Sequence, residues 1–424
     1  MSESRPSTGR RLSVITIDQA IAGASNVLIA VLAARLLDVA SFGLFGLVFL
    51  VYMLIQGVAR ALVCDPLLVH PVEGAERAGE VMGTSAGLGA ALAALVLVVG
   101  TGAELLDARL GDALLILGVC VPLLVLQDLG RYLGFAFDRP SSALLLDVVW
   151  LVLLVAGVGL LAATDARSLP WFIAAWAGSG ALSGCLCLWR ERRIGVRFGL
   201  AWLRYTWSFS WRYLVSYTST IGSALAGSVA VGGIAGAKAL GALQAVLLLV
   251  RPYSTFQVAA VAASVGEVAR VAAEGRRVRR QVVRITMLTT GVALINAVLL
   301  LDLPHSHGTI VLGDSWRAVK PLLLATGVQI VILGATTGVR AGLLGMRAIR
   351  EVMLIDVVAT AVLMIATVPG AVVDGARGAV WAVSMVQVVM AFVWWVMLWR
   401  RTRPSAPVVP APLPAITVPH PPLA

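Results

Sequence analysis

Apolar stretches of about 20 residues recur along this chain, each long enough to cross roughly 30 Å of hydrocarbon. In lipid, every backbone N–H and C=O must bond within the protein, so such stretches fold as helices. They fall near 13–36, 42–62, 81–103, 112–133, 141–163, 169–189, 207–231, 239–262, 281–303, 318–339, 350–370 and 376–399. The runs are too long, and alternate too little, for a β-barrel. The chain is 59% hydrophobic and 13% charged, with a mean hydropathy of +0.92, where a soluble domain carries about 25% charged residues. The expected fold class is an all-α polytopic membrane protein of about twelve transmembrane helices.

The second half of the chain echoes the first in the same register. Leu110-Gly111-Asp112 returns as Leu312-Gly313-Asp314, and Asp147-Val148-Val149 as Asp356-Val357-Val358. Arg131 precedes Asp147 at the spacing by which Arg340 precedes Asp356, and Asp165 and Asp374 keep the same offset. A repeat this long is not a solenoid period. It indicates two six-helix parallel repeats around a central cavity, the layout of an alternating-access transporter. The expected organisation is a polar segment 1–12, an N-lobe 13–189, a basic linker 190–206, a C-lobe 207–399 and a Pro-rich tail 400–424. Prolines at the density of that tail exclude a helix.

Net charge +11 invites a nucleic-acid reading, but the distribution of the arginines argues against it. Alternate connections are rich in Arg (Arg77, Arg139, Arg190, Arg192, Arg193, Arg197, Arg276, Arg277, Arg279, Arg280, Arg400, Arg401), whereas the intervening ones hold Arg35, Arg109, Arg167, Lys238, Arg317, Lys320 and Arg377. By the positive-inside rule both termini are expected in the cytoplasm. The basic surplus then reports topology, with a secondary affinity for anionic membrane lipids. Cys64, Cys120, Cys185 and Cys187 lie in or beside spans without metal-like spacing, and read as small apolar residues. The first span is too long for a signal-peptide core and reads as an uncleaved helix.

Ionisable groups within spans are costly and mark function or pairing. Asp18 lies inside span one, and Asp18, Ala22, Ser25, Asn26 and Ile29 share a helical face. Asp128 and Arg131 share a face near the end of span four, Arg60 ends span two, and Asp147 opens span five. These charges either line a vestibule for a polar head group or pair to lock helices together. Arg251 sits at mid-span directly before Pro252, too deep to snorkel to a surface. It is expected either to face a hydrated cavity and contact phosphate bidentately or to pair with a first-lobe Asp. The pairs formed by Arg131 with Asp147 and Arg340 with Asp356 read as structural pins repeated in each lobe. Asp128 faces Thr337 across the repeat, and Asp18 and Arg251 have no charged echo, so function is expected where the repeat breaks. Gly87-Leu88-Gly89 follows no strand and is no phosphate loop, and His305 and His307 are a loop pair rather than a metal site. No catalytic set, metal cluster, cofactor motif or ATP motif is present, so an enzyme is not expected.

The openings Asp18-Gln19, Ser25-Asn26, Ala34-Arg35-Leu36-Leu37 and Phe42-Gly43-Leu44-Phe45 resemble bacterial polysaccharide-export flippases of the multidrug/oligosaccharidyl-lipid/polysaccharide exporter superfamily. The stretch Gln127-Asp128, Arg131-Tyr132, Phe135-Ala136, Arg139-Pro140, Ala143, Asp147 and Trp150 is similar to actinobacterial members. The resemblance implies two six-helix bundles that move a lipid-linked sugar, often on undecaprenyl pyrophosphate, across the bacterial cytoplasmic membrane. It carries over Asp18, Asn26, Arg60, Asp128 and Arg131 as cavity candidates, and implies glycan polymerases or glycosyltransferases as partners. Arg251-Pro252-Tyr253 departs from the Gly-Pro-Leu-like sequence expected there. A cation-coupled exporter of the same fold and a non-transporting scaffold in glycan assembly remain alternatives. A major-facilitator carrier is disfavoured, because 69–80 lacks that class's Gly-x-x-x-Asp-Arg-like signature. The charge asymmetry is checked by reporter fusions. Fluorescent fusions at Gly195 and after Arg403 should be active, and alkaline phosphatase fusions at Leu106 and Ala166 should be active. The reverse pattern would invert the topology.

Overall fold

In the computed structural model, residues 23, 25–274, 278–313, 315–346 and 348–402 are described, and they are almost entirely helical, with no strand among them. Nine helical runs are long and apolar enough to cross a membrane, and Ser25–Leu36 is a shorter apolar helix. Two of the nine are hairpins whose helical pattern runs on through a sharp break. Residues 201–273 turn at Gly236, with φ 83° and ψ 171°, and residues 349–401 turn at Asp374-Gly375, where Gly375 has φ 52°. Only a residue without Cβ takes these positive φ values cheaply. Dividing the runs there gives eleven of the spans expected from sequence; of the first, 13–36, only residues 23 and 25–36 are described. We number them α1 (Ser25–Leu36), α2 (Val39–Val69), α3 (Ala78–Glu104), α4 (Ala108–Ala136), α5 (Pro140–Ala163) and α6 (Leu169–Arg190). The second half comprises α7 (201–235), α8 (237–273), α9 (Val278–Leu301), α10 (Ser315–Gly345), α11 (349–373) and α12 (376–401).

Local chemistry accounts for the helix ends. Asp38 caps α2, its carboxylate accepting from Ala40 N at 2.9 Å, from Ser41 N at 3.2 Å and from the Ser41 hydroxyl at 2.6 Å. Asp107 caps α4, and the Arg109 side chain bound to it holds its carboxyl below the usual carboxylate range. Inside α2, Pro66 has no N–H to return to the carbonyl of Leu62 and its ring crowds that carbonyl. The helix widens to a π turn over Arg60–Cys64, with Asp65 N bonding back to Arg60 O. The connection between the halves is shorter than the 190–206 read from sequence. Helix resumes at Ala201 because Trp202, 0% exposed, is buried beside α2 and donates to Val63 O at 3.3 Å. The strap before it is tied to α3 by Arg197 N to Gly79 O at 2.9 Å and Thr84 Oγ1 to Gly199 O at 3.0 Å.

Helices pack chiefly within their own half, α3 with α4, α4 with α6 and α5 with α6, then α9 with α10 and α10 with the α11–α12 hairpin. The extensive contacts between halves all run through α7 and α8, above all onto α2. Their closest part is a glycine seam. A Cβ on Gly43 would meet Gly241 N at 2.5 Å and Ala237 O at 2.7 Å, so two backbones touch there as small-residue membrane interfaces allow. Arginines ring one face of the bundle: Arg77, Arg139, Arg190, Arg192, Arg193 and Arg204 in the first half and linker, then Arg270, Arg279, Arg350, Arg400 and Arg401. Cys64 and Cys187 are buried as small core residues, while Cys185 is exposed on the bundle's side. His305 and His307 start a short helix, His305–Leu312, rather than a loop. Gly43→Leu should overpack the seam and cost about 1–3 kcal/mol. It is read as a lower melting temperature of the detergent-solubilised protein, and an unaltered melting curve would show that the seam is loose.

Candidate functional site

The residues at helical spacing along α2 build one wall of an enclosed space. Phe42, Phe45, Phe49 and Tyr52 form an aromatic ridge with successive ring centroids 6.4, 6.0 and 5.9 Å apart. Tyr52, Gln56 and Arg60 continue the same face at four-residue steps. Trp176 of α6 closes on the ridge, its ring 5.0 Å from Tyr52 and 5.5 Å from Phe49. Trp150 of α5 stands edge-on to Tyr52 at 6.3 Å and donates its indole N–H to Trp176 O at 3.3 Å. With Asn26 and Ile29 of α1, Arg131 of α4 and Asp147, Leu151 and Leu154 of α5, these side chains enclose a cavity of about 240 Å³. Its walls at mid-depth are aromatic, and its polar floor lies toward the arginine-ringed face.

The floor is a chain of alternating charge. Arg60 grips Asp128 with two hydrogen bonds, Nε to Oδ2 at 2.6 Å and Nη2 to Oδ1 at 2.8 Å. Arg131 Nη1 reaches Asp128 Oδ1 at 3.3 Å, and Arg131 Nε lies 3.0 Å from Asp147 Oδ1. Gln127 Nε2 donates to the same Asp147 oxygen at 3.1 Å. The side chains of Asp128 and Arg131 are 2% and 9% exposed, while that of Arg60 is 30% exposed toward the cavity. Burying a single unpaired charge here would cost several kcal/mol, and mutual pairing through a bidentate fork offsets that cost. The two carboxylates and two guanidiniums sum to zero, so the floor joins α2, α4 and α5 without leaving a net buried charge. The π turn begins at Arg60, and such bulges concentrate at functional positions.

The candidate residues read from sequence occupy different places. Asn26, Arg60 and Arg131 line the cavity, and so does Asp147, which the sequence grouped with structural pairs. Asp128 lies behind the wall, 1% exposed. Asp18 lies outside the described residues. Arg251, on α8 of the second half, donates from Nη1 to Asn26 O at 3.2 Å and sits 5.1 Å over the ring of Phe49. It therefore meets α1 and α2 at the rim of the first-half cavity. Arg340 and Asp356 bond through two hydrogen bonds at 2.9 and 2.7 Å, outside the lining of this cavity and beside Trp394.

Tyr52, Gln56 and Trp176 were not singled out by sequence. The four-residue steps linking Tyr52, Gln56 and Arg60 were a usable signal. Trp176 carried none, because its partners come from another helix. Gln56 is 1% exposed and donates Nε2 to Leu124 O at 3.3 Å. Its Oε1 has no hydrogen-bond partner among the described residues, which leaves a buried acceptor on a cavity-lining residue.

No family model and no curated protein matches this chain. Solved structures share its fold. An inward-facing multidrug resistance MATE family transporter of the MOP superfamily superposes with a TM-score of 0.70 at 14% identity, over 92% of this chain and 97% of that one. The lipid II flippase MurJ in an inward closed conformation gives 0.69 at 9% identity, over 91% and 87%. An outward-facing MATE transporter gives 0.51 at 15% identity, over 92% and 94%. The chain thus has the all-α, multi-pass membrane architecture of these transporters.

Removing the centre of the floor tests its role. Asp128→Ala leaves two guanidiniums facing each other and should lower stability by about 3–5 kcal/mol. Arg340→Ala, from a pair whose side chains are 42% and 38% exposed, should cost less. Both are read by thermal unfolding in detergent, and equal shifts would contradict the difference in burial.

Proposed function

We propose that this chain flips a lipid-linked sugar or polysaccharide precursor across the bacterial cytoplasmic membrane by alternating access. The observation that carries this reading is the lining of the first-half cavity. Rings at Tyr52, Trp150 and Trp176 offer apolar faces to a sugar, the side chains of Asn26 and Gln56 add amides to the lining, and Arg60 supplies a partly exposed guanidinium. A polyhydroxylated, anionic head group such as a sugar on polyprenyl pyrophosphate matches that set. A polar head group needs such a lined, water-accessible space to cross hydrocarbon, while the lipid tail stays outside.

Residue roles follow from placement. Asn26, with Asp18 on the same helix, forms the polar edge of α1. Arg60 and Arg251 present guanidiniums to the phosphoryl groups from the two halves. Asp128 and Arg131 hold Arg60 in place, and Asp147 with Gln127 holds Arg131. Rocking of the two lobes, 13–189 and 207–399, about the contacts of α2 with α7 and α8 would expose the cavity to each side in turn. The superposition on the inward-facing transporter, 0.70 against 0.51 for the outward-facing one, supports reading the two halves as held in an inward-facing arrangement. No ATP motif occurs in the sequence, so an ion gradient, membrane potential or consumption of the substrate drives the cycle. Glycan polymerases or glycosyltransferases are the partners that such a substrate implies.

A cation-coupled drug exporter is the second reading, favoured by the likeness to the multidrug transporter and by an aromatic cavity that also accepts planar cations. One experiment separates the two. Proteoliposomes carry either a fluorescent polyprenyl-pyrophosphate sugar or an efflux dye, with and without a proton gradient. Protein-dependent movement of the lipid, reduced about tenfold or more in Arg60→Ala and Arg251→Ala, supports flipping. Dye efflux without lipid movement establishes the exporter instead. Unchanged lipid movement in a folded Arg251→Ala protein removes Arg251 from the mechanism.

A further inference from the structure

The two halves carry the same Arg–Asp pair at the same spacing and use it differently. In the first half, Arg131 is bonded to both Asp128 and Asp147, Arg60 closes Asp128 from the other side, and the side chains are nearly sealed. In the second half, Thr337 stands at the position equivalent to Asp128, and its hydroxyl is turned to Leu333 O at 2.7 Å. Arg340 therefore meets one carboxylate instead of two. Its side chain is 42% exposed, and Nη1 and Nη2 together send one hydrogen bond to each oxygen of Asp356.

A guanidinium carries five N–H donors in a flat fork. Asp356 occupies two of them. The remaining edge lines a small cavity of about 110 Å³ that also includes Gln257, Thr336, Thr337, Gln387 and Trp394. Trp394 holds the guanidinium plane from one side, its ring centroid 5.7 Å from the Arg340 carbon. Gln387 also lines this space, and its buried Oε1 has no hydrogen-bond partner among the described residues. Liquid water takes about 30 Å³ per molecule, so this space has room for one tetrahedral oxyanion. Arg340 lies five residues before the end of α10, about 8 Å along its axis, on the side ringed by Arg279, Arg350 and Arg400.

We propose that Arg340, braced by Asp356 and Trp394 and assisted by Gln387, forms a binding site in the second half for a single phosphoryl oxyanion. The site is separate from the first-half cavity. It takes the phosphoryl group by the fork edge that Asp356 leaves open, as planar guanidiniums do with phosphate. The inference rests on the transport reading only for the source of that group, which is either the diphosphate of a carrier lipid or the head group of an anionic phospholipid.

The first half supplies the variant that tests it. Thr337→Asp installs the second carboxylate three residues before the arginine, as Asp128 precedes Arg131, and should occupy the open edge without unpairing Arg340. Inorganic pyrophosphate is titrated by calorimetry into the purified full chain in neutral detergent. Two classes of saturable site are expected in the wild type; the class kept when Arg60 and Arg251 are both replaced by Ala is the Arg340 site, and it is weakened tenfold or more in Arg340→Gln and in Thr337→Asp and partly retained in Arg340→Lys, which keeps the charge without the fork. Thr337→Asp should keep the melting temperature of the wild type or exceed it, so loss of binding there is not loss of fold. Absence of that class, or its equal affinity in wild type and a folded Thr337→Asp, overturns the proposal. Displacement of pyrophosphate by polyprenyl pyrophosphate but not by phosphatidylglycerol in phosphatidylcholine nanodiscs identifies the carrier lipid as source, and the opposite result identifies a phospholipid. Failure of lipid flipping with an intact pyrophosphate titration would sink the transport reading and leave this site standing.

Discussion

The architecture of the first half depends on how two guanidiniums are kept in a membrane. Asp128 accepts from Arg60 on α2 and from Arg131 on its own helix, and Arg131 passes the charge on to Asp147 on α5. No member is tolerable alone in a low-dielectric interior, so each fixes the position of the next. The consequence is geometric as well as energetic. Three helices are joined near one face, and the side chains above the joint are left to surround a space rather than fill it. Arg60 is held as one wall of that space by bonds made behind it, an arrangement that preorganises a charged group without spending its whole surface on the pair.

α2 connects this joint to the rest of the molecule. Its far end packs backbone to backbone on α8 at Gly43 and Gly241, its middle carries the aromatic ridge, and its near end bears Arg60 at the start of a π turn. α7 and α8 of the second half clasp it along its length, through Trp202, Tyr217, Gly241 and Arg251. Motion of one half against the other therefore acts on the helix that lines the cavity. In the proposed transport cycle, cavity and lobe movement would be coupled through this one element rather than relayed through several.

The repeat explains what is shared, and its departures explain what differs. Arg131 with Asp147 and Arg340 with Asp356 are the same device, yet one is sealed and the other open. The difference traces to one position, Asp128 against Thr337. A second carboxylate consumes the arginine, and a threonine that bonds back to its own helix does not. The sequence pairs alone suggested two equal pins, because spacing records which residues recur and not how many partners each finds.

Hydropathy and period were enough to read the spans. Apolar runs of sufficient length have one stable form in lipid, and even the hairpin breaks at Gly236 and Asp374-Gly375 fall between the runs marked from sequence. That helix begins as early as Ala201 was not legible, because the burial of Trp202 against α2 is a tertiary event that hydropathy does not register. Of the cavity, the charged members were legible, since a charge in an apolar run is conspicuous. Trp176 and Gln56 were not, since aromatic and amide residues are unremarkable in a membrane helix until another helix faces them. The sequence by itself determined the class, the position of the described spans and which residues carry charge in hydrocarbon, because those follow from the cost of exposing polar groups to lipid. Only the tertiary structure decided which charges are spent on one another and which still face open space, because that depends on distances between helices far apart in the chain.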